Sequence, residues 1–251
     1  MFNTMFSELR CRMVIAILSV LGLVHCAGGQ PMKEADDEML AARASDPDSV
    51  LLARVALSLP MKDDGISGDV RRKLDAKMSE ADAKIQELHK KVGKDDASEK
   101  RFVAAAKAIH ETLAKDVDQL TREQQQSFAT RSFVVTGEAM WLQDHPSDFA
   151  EQFLKQVKQT DAQKKKTQPL LKDAAEELGK LKAREEAGTA TDQDARRRSR
   201  LPLETLLKLH NLLTPEQGTD LIRLVMTEAG QTAEPMSPPV QPKGQDGVKQ
   251  K

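Results

Sequence analysis

Tyrosine is absent, tryptophan occurs once, and aromatic side chains amount to only 3% of the 251 residues. The two cysteines, Cys11 and Cys26, both lie near the N-terminus. The body that follows has no thiol for a disulfide, a nucleophile or a cysteine-based metal site, so packing alone must hold it. A charge excess is missing too. The 38 basic and 39 acidic residues leave a formal net charge of -1, which gives no bias toward nucleic acid. No glycine-rich phosphate loop, G-x-S-x-G or H-E-x-x-H occurs, so neither catalysis nor a cofactor is expected. His89, His110, His145 and His210 are dispersed, without ligand spacing or a carboxylate cluster. They read as ordinary surface or half-buried histidines rather than a metal site.

What is present is helical. Alanine, leucine, lysine, glutamate, aspartate, glutamine and arginine dominate, and 39% hydrophobic residues suffice for a core. The fold class expected is all-α, built of long antiparallel hairpins in a cradle or bundle. Residues 1–29 read as an export signal: Arg10 and Arg12 precede the apolar Met13–Val24, and Ala27, Gly28 and Gly29 follow. That run is too short to span a bilayer, so no membrane span is expected after processing. Leu23, Val24 and Cys26 resemble a lipoprotein box, but His25 stands where a small residue belongs. Cleavage is therefore the reading preferred to lipid anchoring through Cys26.

Short helices are expected over 30–59, with Val50, Leu51, Val55 and Leu59 on one apolar face, then a loop around Pro60, Gly65 and Gly68. The clearest periodicity follows. Val70, Leu74, Met78, Ala81, Ile85, Leu88 and Val92 recur at steps of three and four. Ser98 is placed to cap a returning helix with Phe102, Ala105, Ile109, Leu113 and Val117 on its face, which makes the two antiparallel neighbours. A further helix runs through Phe128, Val135 and Leu142 to His145-Pro146. Ser147 is read as the cap of the next, which carries Phe149, Phe153 and Val157 into the polar run after Thr160 and kinks or breaks at Pro169. Gly188 reads as a helix terminator, a basic helix leads from Asp192, and Leu221, Ile222, Leu224 and Val225 mark the last helix. Residues 231–251, rich in proline, are expected to be disordered. The basic runs Lys164–Lys166 and Arg196–Arg200 read as solvated faces, and Trp141 as a core anchor.

One short pattern occurs twice: Leu120-Thr121-Arg-Glu-Gln124 and Leu213-Thr214-Pro-Glu-Gln217. Each threonine can cap the following helix while the glutamine three residues on reaches back to the cap's own N–H, forming a capping box with the leucine as staple. In the second, Pro215 falls at the first helical position, where its missing N–H costs nothing. The offset from 121 to 214 is 93 residues, and at that offset Leu113 falls on Leu206. This suggests a tandem duplication, with repeats over 60–145 and 146–230.

An export signal, a cysteine-free helical body and L-T-x-x-Q after a helical hairpin together resemble the Spy/CpxP family of periplasmic envelope-stress proteins, named for two such motifs per chain. The resemblance covers roughly residues 48–229. It implies a cradle-shaped dimer that binds non-native protein clients without ATP, while other relatives respond to metals or regulate a sensor kinase. The client-binding residues stay unassigned. This chain is longer than a typical member, so it is expected to be either a homodimer or a single-chain pseudo-dimer.

Overall fold

A computed structural model describes residues 46–62, 65–93 and 95–232, with side chains to Thr227. The export segment 1–29, the first of the expected short helices and nearly all of the tail after residue 230 lie outside the described residues. Within them all regular structure is helical: α1 Ser49–Ser58, α2 Gly68–Lys90, α3 Asp96–Val117, α4 Arg122–Asp144, α5 Pro146–Gln156, α6 Asp161–Glu186, α7 Asp192–His210 and α8 Pro215–Thr232.

The long hairpins are α2 with α3 and α6 with α7. The α2 seam packs as its spacing dictates, with Leu74, Met78, Ala81 and Ile85 buried and Val70, Leu88 and Val92 partly so. The short α1 lies at the centre, against α2, α4 and α7. Its apolar residues Val50, Leu51, Leu52, Val55, Ala56 and Leu57 surround the helix rather than form a stripe, as a segment covered on several sides requires. α4 is the second central element, packed on α1, α5, α7 and α8.

Several boundaries differ from the sequence reading, each for a local reason. Asp95, not Ser98, caps α3: its carboxylate accepts from Ser98 N at 2.8 Å, and Ser98 Oγ donates back to Asp95 O at 2.8 Å. Ser98 Oγ also accepts from Gly93 N at 2.9 Å, tying down the hairpin loop. α5 starts at Pro146 after His145 and has no side-chain cap, so Ser147 lies inside it. The helix through Phe149 and Phe153 ends at Gln156, and a new one begins after Thr160. Pro169 falls inside α6 without ending it. It is exposed, so the carbonyl that its ring leaves without an N–H partner remains open to water. α8 continues through Gly230 to Thr232. At the end of α6, Gly188 has φ +65°, and Gly188 N to Glu185 O at 3.0 Å with Thr189 N to Arg184 O at 2.9 Å close a Schellman turn.

Candidate functional site: paired capping boxes and a buried polar junction

Both repeated boxes are formed. Thr121 Oγ1 accepts from Gln124 N at 3.3 Å while Gln124 Oε1 accepts from Thr121 N at 3.0 Å. Thr214 Oγ1 accepts from Gln217 N at 3.4 Å and Gln217 Oε1 from Thr214 N at 2.9 Å. Among the described residues no hydrogen bond joins these two boxes to each other. Thr160-Asp-Ala-Gln163, a box missed in the sequence because no leucine precedes it, is the partner of the second. Thr160 Oγ1 accepts from Gln163 N at 3.2 Å and Gln163 Oε1 from Thr160 N at 3.0 Å.

The two glutamine amides then exchange hydrogen bonds: Gln163 Nε2 donates to Gln217 Oε1 at 2.8 Å, and Gln217 Nε2 donates to Gln163 Oε1 at 3.0 Å. Each amide also reaches a carbonyl two residues before the other's cap. Gln163 Nε2 donates to Leu212 O at 2.7 Å and Gln217 Nε2 to Lys158 O. The cap N–H groups require an oxygen and the carbonyls require an NH2, so only one orientation of each amide satisfies all four backbone groups. The starts of α6 and α8 are thereby locked together.

The first box makes half of this arrangement. Gln124 Nε2 donates to Gly65 O at 2.6 Å, two residues before Ser67, whose Oγ caps α2 through Val70 N at 3.3 Å. Gly65 adopts φ +66° at this turn. Valine stands where the other pair has Gln163, so no return amide exists. Ser67 and Thr160 are related by the same 93-residue offset as Thr121 and Thr214.

This asymmetry gives a prediction. Gln163→Ala and Gln217→Ala should each cost about 1–2 kcal/mol, because each leaves a cap N–H, a backbone carbonyl and one amide hydrogen of the other glutamine without a partner. The double variant should cost about 1 kcal/mol less than the sum of the singles, since the amide–amide bonds are shared and are lost only once; a double-mutant cycle by urea unfolding reads that coupling. Additive costs would mean that the amides do not act as a pair.

The second cluster is buried where α1, α4 and α7 meet. Glu138 and His210 are both 0% exposed, and His210 Nε2 stands 2.9 Å from Glu138 Oε2. His210 Nδ1 faces Val55 O and Ser58 Oγ, each at 3.3 Å, and Ser58 Oγ donates its own proton to Val55 O at 2.7 Å. With that proton committed to Val55 O, Nδ1 is placed to donate toward these oxygens, which leaves Nε2 facing Glu138 Oε2. The serine–histidine–carboxylate order looks like a hydrolytic triad, but an Nδ1–H aimed at the hydroxyl cannot take the serine's proton. Glu138 Oε1 is buried without a partner. Two turns earlier on α4, Arg131 is also 0% exposed, donates to Leu57 O at 3.3 Å, and is pulled down to about 10 by burial. His210 is thus neither a surface nor a half-buried histidine.

The run Arg196–Arg200, expected to be a solvated face, is mostly committed to internal ion pairs. Arg200 grips Asp82 with two bonds at 2.8 and 3.1 Å and reaches Asp48 at 3.0 Å and Glu204 at 2.8 Å, clasping α7 to α1 and α2. Burial pulls its basicity down, and the carboxylates more than reverse this, so it is raised. Arg197 holds Glu177 at 2.6 and 3.2 Å and Glu204 at 2.7 Å. Its bond to Glu177 raises it and lowers Glu177 in turn. Arg198 pairs with Glu185 and stands 3.8 Å from Asp144. Trp141 is half-buried, with its Nε1 donating to Asp148 at 2.9 Å and its ring edge-on to Phe149 at 5.3 Å.

Among the described residues no group of three or more histidine, cysteine or carboxylate side chains is placed to hold a metal. No described helix is long and apolar enough to cross a membrane. The fold and these clusters define an all-helical protein whose polar residues of note join helices to one another. Comparison with protein families, with curated proteins and with solved structures finds no match to the chain.

Proposed function

We propose that the chain is an exported, ATP-independent holdase that binds unfolded or misfolded envelope proteins. The observation that supports this reading most is the amide-locked pair of T-x-x-Q boxes. The Spy/CpxP resemblance rests on the two L-T-x-x-Q motifs at Leu120–Gln124 and Leu213–Gln217, and Gln163, in a box without the leucine, forms a matched pair with the second of them. On this reading the resemblance covers residues 48–229, with 60–145 and 146–230 as tandem copies and a glutamine lock complete only in the second. The shared offset of the Ser67 and Thr121 caps from those at Thr160 and Thr214 supports the duplication, and a fused pair would behave as a monomer.

Client capture needs no energy source: binding the non-native form lowers its free concentration and hence its aggregation rate. Phe133 at 45% and Met226 at 50% exposure offer apolar contact on an otherwise charged surface. Purified protein, with its mass fixed by light scattering, should suppress aggregation of a denatured client at near-stoichiometric ratio without nucleotide. Absence of suppression across several clients would refute the holdase reading, and stable capture of one folded protein instead would assign a structural role.

A further inference from the structure

An open groove of about 720 Å³ runs between α6 and α7, within the size range of small-ligand sites. Its walls are two facing ridges at helical spacing. Glu177, Lys180, Leu181 and Arg184 come from α6; Gln193, Arg196, Arg197 and Arg200 come from α7. Five cations face two carboxylates there, and the carboxylates are already answered. Glu177 is held by Arg197. Asp194 is held by Arg184 at 2.6 Å while also capping Thr191. Arg200 is neutralised from outside the groove by Asp48 and Asp82.

That accounting leaves Lys180 and Arg196, both exposed, outside any close ion pair among the described residues, Lys180 acting on Glu177 only at longer range behind Arg197. Arg196 also borders a smaller cavity of about 320 Å³ beside His89 and Ser199. Burial first, and then the charge of Arg196, holds His89 below its ordinary range, with Asp48 opposing them. The whole chain has a formal net charge of -1, so the positive charge here is local and not a share of a general excess.

We propose that the α6–α7 groove binds phosphate-bearing anions, with Lys180 and Arg196 as the ligating cations and the Arg184–Asp194 and Arg197–Glu177 pairs as its fixed walls. Two cations outside any close ion pair match the charge of a phosphate group, and a guanidinium takes two phosphate oxygens at once. The phosphate could be free or belong to a lipid headgroup, and the inference does not depend on the holdase reading.

The test uses the full chain at low and moderate salt. One arm titrates inorganic phosphate and tripolyphosphate by calorimetry; the other measures co-sedimentation with phosphatidylglycerol vesicles against phosphatidylcholine vesicles. A Lys180→Glu/Arg196→Glu variant is compared with Lys164→Glu/Lys165→Glu, which makes the same change in net charge on exposed lysines of the same helix outside the groove. Saturable binding that weakens at least ~ten-fold in the first variant and less than ~two-fold in the second supports the site. The arm that responds identifies the source of the phosphate. Equal weakening by both variants, or no saturable binding in either arm, overturns it. Both variants should keep the wild-type melting temperature, since none of the four residues has an ion pair to lose.

Discussion

Glu138→Ala or His210→Ala is expected to destabilise the protein by about 3–5 kcal/mol, a fall of roughly 10 °C in thermal midpoint for a chain of this size. Either change leaves the surviving partner at 0% exposure without its 2.9 Å bond, and an unpaired buried ionisable group costs far more than the pair itself contributes. Replacing both residues with apolar groups of similar volume, as in Glu138→Met/His210→Phe, should cost less than either single change. It also removes Glu138 Oε1, which is buried without a partner. Circular dichroism melts of the three variants decide the matter. If the double variant is as unstable as the two singles combined, the junction is held by shape and not by the Glu138–His210 contact.

The same junction shows where the sequence stops being legible. The α2 seam could be read because its buried residues, Leu74, Met78, Ala81 and Ile85, alternate with charge. α4 offers no such contrast. It buries Arg131, Ser132, Thr136 and Glu138 along with Phe128, Val134, Val135 and Leu142, because other helices cover it on nearly every side. Ser132 and Thr136 satisfy their hydroxyls on carbonyls four residues back, at 2.9 and 2.8 Å, so polar residues enter the core without leaving a mark in the pattern. His210 was hidden for a related reason: its partner lies 72 positions away on another helix, and nothing local distinguishes it from a solvent-facing histidine. The boxes at Thr121 and Thr214 were legible because capping is local chemistry. Their partners were not, since what joins Gln217 to Gln163 rather than to Gln124 is tertiary. The arginine run misled because a charge run shows its own sign and not the carboxylates that answer it.

Gly218→Ala is expected to destabilise by about 3 kcal/mol or more, through overpacking rather than loss of a contact. A Cβ built at this position would stand 1.9 Å from Pro60 O, 3.0 Å from Pro60 C and 3.1 Å from Pro60 Cγ. The nearest obstacle is backbone, so no rotamer change relieves it, and either α8 or the α1–α2 connection must move. Neither is free to do so. Gly218 directly follows Gln217, whose amide is tied to Lys158 O and Gln163, and Pro60 directly follows Leu59, which is 0% exposed. Gly137 provides the control, since a Cβ there would meet only Val225 Cγ1 at 3.1 Å, a side-chain methyl able to yield a few tenths of an ångström. Gly137→Ala in a central helix should be close to neutral, the gain in helix propensity of up to ~1 kcal/mol offsetting a mild contact. Urea midpoints for the two variants separate these cases. A neutral Gly218→Ala would mean that the start of α8 does not press on Pro60. Near-equal losses at both positions would mean that α8 is displaced as a whole, taking its glutamine lock with it.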